Sequence, residues 1–234
     1  MREIDKVKAL SIWVFIVPFL AVNVCLILIT QFQFVFPNQE HIIHNTLPYI
    51  DGGASISRVV RPYPAWLIFK PMMFLTSFLL IKYWLYSKTI ILFFNNNEKD
   101  IKKIIFFGIA SAITLSIHSI FLGIHFDNDL YKLFRRVIML LFIIFEIIAQ
   151  AYLVKILYSF GDKLSKYINR EYLILKKYLV SFLVIIAILS IPVLISGNSF
   201  FGFNTKFFKH ALEWNFFLGV IFFYVLTFLM WKKN

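Results

Sequence analysis

Six long apolar stretches constrain the fold of this chain more than any other feature of its sequence. An α-helix needs about 20 mainly apolar residues to cross a hydrocarbon core of about 30 Å. Stretches of this kind occupy roughly residues 9–31, 64–86, 103–124, 134–158, 175–196 and 210–231. We therefore predict an all-α fold, a six-transmembrane-helix bundle that forms one integral membrane domain over residues 1–234. The longest connection, roughly residues 32–63 between the first two stretches, is predicted to be a structured loop at the outer face.

The distribution of charge predicts the orientation of the bundle. The chain has 24 Lys and Arg against 12 Asp and Glu, and the basic residues lie in short clusters between the apolar stretches. This pattern is typical of membrane-protein loops and excludes nucleic acid as a partner, because nucleic-acid binding needs basic residues on one polar face. Counting Lys and Arg gives 16 on the side of the N-terminus and 8 on the other side, which predicts cytoplasmic N- and C-termini. The five tryptophans lie near predicted helix ends, where indole rings favour the headgroup level.

One acidic residue lies near the middle of the fourth predicted span. Placing Glu146 there costs about 2.5–3.5 kcal/mol on insertion scales, so the residue needs a polar environment. Gln150 is one turn further along the same face, and together the two mark the side that faces the bundle. Two interpretations remain open: a polar or proton-handling site, and an acid hydrogen-bonded to a neighbouring helix as structural glue. Gly108 and Ala112 form a small-xxx-small pair that predicts a close helix approach.

A second set of polar residues lies near the outer ends of the spans, where all five histidines fall. The candidates for lipid-headgroup binding are His44, Arg58, Arg61, His118, Asp127, Arg135, Arg136 and His210. Arg can bind a lipid phosphate, and a His–carboxylate pair can act as the base for acyl transfer. Zinc-activated water is a further alternative, but no motif such as H-E-x-x-H is present, so no metal site and no cofactor are predicted. Any one of these residues is explained by snorkelling to water, whereas the group favours a headgroup site.

Short motifs resemble a known family. The segment Leu47-Pro48-Tyr49-Ile50-Asp51-Gly52-Gly53-Ala54 resembles the Pro-aromatic-Ile-Ser/Asp-x-Gly segment of the damage-regulated autophagy modulator (DRAM) family. That family is grouped with the FGF-receptor-activating protein and the post-GPI-attachment lipid-remodelling factor. Ala211-Leu212-Glu213-Trp214, followed by Leu226-Thr227-Phe228, resembles the last helix of the group, and His125 and Gln150 lie where its members tend to carry His and Gln. The chain departs from the pattern at Ser55-Ile56-Ser57-Arg58, where members often have Pro and Glu.

The resemblance implies a protein that acts on or with membrane lipids. Some members of the group are tied to remodelling the lipid part of GPI anchors, and others to lipid distribution, autophagy or scaffolding. Asp51, His125 and Glu213 are the positions that carry over as catalytic candidates.

We therefore predict a multi-pass membrane protein that binds or remodels membrane lipid at an outer-face polar pocket. As an enzyme it would be a lipid hydrolase or an acyltransferase-like remodelling enzyme, with His125 as base and Asp51 or Glu213 orienting it. The alternative is a non-catalytic membrane adaptor or lipid-sorting protein with a membrane-protein partner. A third alternative is a proton-coupled transporter that uses Glu146, although the inner halves of the spans are apolar and no pair of Gly-rich broken helices is present.

Overall fold

The computed structural model describes residues 2–38, 42–43, 46–94, 98–124, 128–195, 199–200 and 203–232. Its six long helices are α1 (Arg2–Gln31), α4 (Ala65–Phe94), α5 (Glu98–Phe121), α6 (Asp129–Ser159), α7 (Arg170–Ile195) and α8 (Lys206–Met230). The short helices are α2 (Pro48–Asp51) and α3 (Ile56–Val60), with 3-10 turns at Gln33–Val35 and Gly161–Leu164. A minimal hairpin pairs β1 (Ser199–Phe200) with β2 (Phe203–Asn204). All six long helices are long and apolar enough to cross a membrane, which confirms the predicted six-span, essentially all-α architecture of a multi-pass membrane protein.

The helices extend beyond the apolar stretches that predicted them. α1 begins at Arg2 rather than near residue 9, and α4 continues to Phe94 rather than ending near residue 86. The difference arises because helical hydrogen bonding continues into the interfacial layer, where long charged side chains reach water. At the start of α1, for example, Lys6 Nζ pairs with Glu3 Oε1 at 2.8 Å.

The six long helices form a closed ring in which each packs against the next and α8 packs against α1. Lys8 Nζ in α1 donates a hydrogen bond to the Trp231 carbonyl oxygen at 2.6 Å. Trp231 also bridges to Ile168 in the α6–α7 connection. Both chain ends therefore lie at one end of the bundle, here called the terminal end. The opposite end carries residues 32–64 and is called the long-loop end.

Close packing inside the ring depends on small residues and large indoles. A Cβ atom on Gly108 would lie 2.4 Å from Cγ of Trp84, so α4 and α5 can approach this closely only because residue 108 is glycine. The prediction of a close approach at Gly108 is confirmed. Trp84, Trp214 and Trp231 are 0%, 0% and 3% exposed, so their indoles contact protein instead of lipid, and their depth in the membrane stays a prediction. These indoles fill the protein interior, because a helix end can be covered by a neighbouring segment as well as by lipid.

The segment of residues 46–61 folds over α8 at the long-loop end. His210 Nδ1 is 2.9 Å from the Gly52 carbonyl oxygen, and Trp214 Nε1 donates to the Ala54 carbonyl oxygen at 2.8 Å. Asn215 Nδ2 donates to the Tyr49 carbonyl oxygen at 2.7 Å. Side chains of α8 thus form hydrogen bonds with backbone carbonyl oxygens of this segment, which have no partner in a sheet or a long helix. This docking determines where Arg61, at the end of α3, is placed.

Candidate functional site

Three basic side chains from three separate elements converge at the long-loop end. Arg61 follows the last residue of α3, His118 lies in the last turn of α5, and Arg135 lies in the second turn of α6. α5 and α6 are adjacent antiparallel helices, so the end of one meets the start of the other. His118 lies close enough to both guanidinium groups to interact electrostatically with them. We call Arg61, His118 and Arg135 the cationic cluster, after its two guanidinium groups.

The cationic cluster contains buried polar atoms without partners. Nε of Arg61, Nε of Arg135 and Nδ1 of His118 are buried and have no hydrogen-bond partner among the described residues. Arg61 makes one side-chain hydrogen bond, from Nη2 to Ser57 Oγ at 2.6 Å. The Arg135 guanidinium lies 5.8 Å from the centre of the Tyr131 ring. Buried polar atoms are nearly always hydrogen-bonded in native proteins, so three orphans in one place indicate a site that a ligand completes.

The electrostatics of the cationic cluster favour an anion. Burial, and then the positive charge of Arg135, lower the pKa of Arg61, while Tyr131 acts weakly in the opposite direction. The described residues form no ion pair with Arg61 or Arg135. Two guanidinium groups that repel each other at half-buried positions destabilise the protein unless a negative charge lies between them. A phosphate suits this arrangement, because guanidinium groups bind phosphate oxygens through paired N–H donors.

Asp51 is engaged inside the loop that contains it. Its carboxylate accepts hydrogen bonds from Thr46 Oγ1 at 2.7 Å, from the Leu47 amide at 2.8 Å and from the Gly53 amide at 2.7 Å. Slight burial acts to raise the pKa of Asp51, but the three hydrogen bonds together lower it. The structure therefore gives this carboxylate the role of holding the turn that presents Gly52 to α8.

This hydrogen bonding predicts a pH dependence of the loop. The pKa of Asp51 is lower in the folded than in the unfolded chain, so its stabilising effect is complete above the unfolded value of about 3.9 and is lost as the pH falls through the folded value. We expect the Leu47 and Gly53 amides to be protected from hydrogen exchange at pH 6 and to lose that protection in strong acid, after correction for intrinsic rates. Asp51→Asn should show reduced protection already at pH 6. Protection that is the same in both proteins at pH 6 would contradict this role.

Glu213 and His210 lie on α8 beneath the same segment. Glu213 lies close enough to the backbone N–H groups of Ile56 and Ser57 for its carboxylate to interact with them electrostatically. These are the first two residues of α3, whose N–H groups have no partner within the helix. Arg58 is exposed on α3, close enough to His210 for their charges to interact. The contacts of the predicted outer-face residues thus form two groups: the cationic cluster, and a docking region where α8 holds residues 46–58.

The remaining predicted site residues have separate locations. His44, His125 and Asp127 lie outside the described residues, and Arg136 is exposed on α6. No group of three His, Cys, Asp or Glu in the described ranges is arranged to hold a metal ion.

Glu146 and Gln150 form a polar core in the interior of the bundle. Glu146 is 1% exposed and Gln150 is 0% exposed. Ser111 Oγ donates to Glu146 Oε2 at 2.6 Å, and Gln150 Nε2 donates to Glu146 Oε1 at 3.1 Å. The Tyr224 hydroxyl donates to the same Oε1, and Gln150 Nε2 also donates to the Val220 carbonyl oxygen at 3.1 Å. Glu146 of α6 therefore joins α5 and α8, as expected of a polar group that holds membrane helices together.

Lys176 lies just inside the start of the fifth predicted span, roughly residues 175–196. The structure turns its side chain into the bundle, where it is 0% exposed. Nζ donates to Thr227 Oγ1 at 2.7 Å and lies 3.8 Å from the centre of the Phe223 ring. A cavity of about 10 Å³ adjoins Lys176, Thr227 and Tyr83, which is room for about one water molecule. The sequence carried only a weak signal, because a lysine at the edge of an apolar stretch is equally well explained by snorkelling.

Known proteins provide no further assignment. Comparison with family models, with curated proteins and with solved structures found no match to this chain. The resemblance to the DRAM group therefore stays a prediction, and the case for function depends on the geometry of the chain itself.

Proposed function

We propose that this multi-pass membrane protein binds the phosphate of a membrane lipid at the cationic cluster. The observation that carries the proposal is the convergence of Arg61, His118 and Arg135 with three buried, unpartnered nitrogen atoms. A lipid phosphate would accept hydrogen bonds from both guanidinium groups and would remove their mutual repulsion.

The location of the cluster supports a lipid rather than a soluble anion. His118 and Arg135 lie near the ends of two helices that can span the membrane, which is the depth of lipid headgroups. Deeper along α6 than Arg135, Val137 is 43% and Leu140 is 49% exposed. Such a surface suits contact with acyl chains below a bound headgroup.

The proposal also assigns the two ends of the bundle. The excess of Lys and Arg on the side of both chain ends supports a cytoplasmic terminal end. The long-loop end then faces outward, and the bound lipid belongs to the outer leaflet.

The geometry favours binding without a chemical step. The Asp51 carboxylate is already hydrogen-bonded to backbone amides, and the Glu213 carboxylate lies beside the first backbone N–H groups of α3, so both carboxylates contribute to the structure of the loop. We therefore propose a lipid-binding or lipid-sorting protein that works with a membrane-protein partner, and keep a lipid-remodelling enzyme with His125 as base as the alternative.

Mass spectrometry of lipids that co-purify with the chain tests the proposal. We expect the wild type to retain a phosphate-bearing lipid through detergent washing. Arg61→Gln and Arg135→Gln should each lower this retention about tenfold, since each removes charge-assisted hydrogen bonds to the phosphate. Arg136→Gln is the matched control: it removes the same charge from the adjacent, exposed position on α6 and should leave retention unchanged.

Two outcomes would count against the proposal. One is a lipid profile that matches the bulk membrane in all variants, and the other is an equal loss in Arg136→Gln, which would indicate nonspecific attraction. The enzyme alternative is tested separately with His125→Ala. If the wild type converts a supplied lipid and this variant does not, while both retain it, the protein catalyses a reaction.

A further inference from the structure

The buried nitrogen atoms of the cationic cluster come from three separate elements. Nε of Arg61 lies at the end of α3, Nδ1 of His118 in the last turn of α5, and Nε of Arg135 in the second turn of α6. None of these atoms has a hydrogen-bond partner among the described residues. An anion that satisfies all of them therefore needs acceptor atoms that face three different elements.

Neighbouring side chains hold the two guanidinium groups in place. Arg61 Nη2 donates to Ser57 Oγ at 2.6 Å. The Arg135 guanidinium lies 5.8 Å from the centre of the Tyr131 ring, and the Tyr131 hydroxyl donates to the Phe121 carbonyl oxygen at 2.7 Å. Because contacts outside the site fix both groups, the cluster can distinguish ligands by the number and position of their oxygen atoms.

The two positive charges of the cluster are not balanced by any described carboxylate. The groups that act electrostatically on Arg61 are Arg135 and Tyr131. Asp51, the described acid nearest to Arg61 in the sequence, is held by three hydrogen bonds inside its own loop. Asp129, the described acid nearest to Arg135, is exposed and pairs with neither guanidinium group. A ligand with two negative charges would neutralise the cluster, whereas a ligand with one would leave excess positive charge at half-buried positions.

A phosphate monoester matches both the oxygen atoms and the charge that the cluster requires. It has three terminal oxygen atoms and a charge of about −1.5 to −2 at pH 7. A phosphate diester, the form found in most phospholipids, has two free oxygen atoms and a single negative charge. The two guanidinium groups would take both of those oxygen atoms, which leaves Nδ1 of His118 without an acceptor of its own. The third oxygen atom of a monoester accepts the hydrogen bond from this nitrogen.

We propose that the cationic cluster selects a lipid whose headgroup is a phosphate monoester, and that His118 is the residue that determines this specificity. The inference rests on the proposed function, because it concerns the same site. It adds the chemical class of the headgroup, a phosphate that is joined to the lipid by one ester bond and carries no second alcohol. His118 acts through its Nδ1–H group and needs no charge of its own.

A matched pair of lipids tests the inference on the full chain. Phosphatidic acid and phosphatidylmethanol with identical acyl chains differ by one methyl group, which blocks the third oxygen atom and removes its charge. Each lipid is titrated into the chain in neutral detergent at about pH 8, above the second pKa of a monoester, and bound lipid is counted by native mass spectrometry. We expect the wild type to prefer phosphatidic acid about tenfold, as one hydrogen bond to a charged group would produce.

Substitutions of His118 distinguish a specificity-determining role from a structural one. His118→Phe removes the donor, and it should lower the affinity for phosphatidic acid about tenfold but that for phosphatidylmethanol about threefold or less. His118→Asn places an amide N–H group close to the position of Nδ1 and should restore most of the preference. Arg136→Gln, which changes an exposed residue on α6, should keep the full preference.

The possible outcomes separate this inference from the proposed function. Equal affinity for the two lipids would overturn the inference and leave lipid-phosphate binding intact, whereas failure to bind either lipid would contradict both. An equal loss of both lipids in His118→Phe would also overturn the inference, because His118 would then support the structure of the site. Displacement of phosphatidic acid by an equimolar amount of glycerol 3-phosphate would show that the site takes a soluble monoester, and would contradict a lipid ligand in both proposals.

Discussion

Replacement of Glu146 by Leu is expected to lower the free energy of unfolding by about 3 kcal/mol, because it leaves buried donors without an acceptor. Ser111 and Gln150 keep alternative acceptors, the carbonyl oxygens of Gly108 and Val220 at 2.8 and 3.1 Å. The Tyr224 hydroxyl is fully buried and loses its hydrogen bond to Glu146, so most of the cost arises there. Reversible unfolding of the chain in mixed micelles measures the effect.

Glu146→Gln provides the matched comparison. Its amide oxygen can accept from Tyr224, and its amide nitrogen can donate to Ser111, whose hydroxyl can then donate to the Gly108 carbonyl oxygen at 2.8 Å. We expect a cost of about 1 kcal/mol or less, since the Tyr224, Ser111 and Gln150 donors each keep an acceptor. An equally large cost for Gln and Leu would contradict a role based on hydrogen bonding, and would indicate that the negative charge itself is needed.

The same pair of variants separates a structural acid from a transport site. A proton-coupled transporter that uses Glu146 would lose coupled uptake in Glu146→Gln while keeping its stability. If Glu146→Gln retains lipid at the cationic cluster as the wild type does, the polar core acts as a helix connector in this protein.

Gly52→Ala is expected to release the segment of residues 46–61 from α8. Gly52 has φ +62°, a left-handed conformation that side chains disfavour, and an added Cβ would lie only 1.8 Å from the Phe207 carbonyl oxygen. Because that oxygen belongs to the backbone of α8, it cannot move aside as a flexible side chain would. We expect the free energy of unfolding to fall by about 2–4 kcal/mol and the hydrogen exchange of residues 46–61 to become faster. Lipid retention should also weaken, because Arg61 follows this segment and is displaced with it.

Gly161→Ala isolates the conformational part of this effect. Gly161 also has a left-handed backbone, with φ +53°, but a Cβ there would meet no atom within 4 Å. The Gly161→Ala variant should lower the free energy of unfolding only by the cost of a left-handed backbone at alanine, about 1 kcal/mol. It should leave the hydrogen exchange of residues 46–61 unchanged. If both variants behave alike, the contact with Phe207 does not hold the segment in place.

The sequence predicted the membrane architecture well, because the length of an apolar stretch follows directly from the thickness of the bilayer. It also singled out Glu146 and Gln150, since an acid in the middle of a span needs polar partners on its own face. Those partners, Ser111 and Tyr224, were not predicted, because hydroxyl groups are common in membrane helices and carry no pattern that identifies which helix they face.

For the residues at the long-loop end, the sequence did not show which side chains contact one another. Eight candidates for headgroup binding lie at a similar level, and helix positions alone do not show that Arg61 meets His118 and Arg135. Asp51 and Glu213 were predicted as catalytic because the resemblance to the DRAM group carries them over, and that prediction stays untested. Their contacts with backbone N–H groups depend on how residues 46–58 dock on α8, and nothing in the local sequence pattern encodes this path.

The closure of the ring by α8 has a consequence for how the protein is made. Because α1 packs against α8, one flank of α1 stays uncovered until α8 has been synthesised. α8 also supplies Tyr224 to Glu146 and Thr227 to Lys176. A nascent chain that stops before residue 206 therefore holds an acid and an amine inside the membrane without these partners. A chain that includes α8 differs from one that stops before it by having both of these polar groups paired, and this difference distinguishes the two kinds of molecule in the membrane where they are assembled.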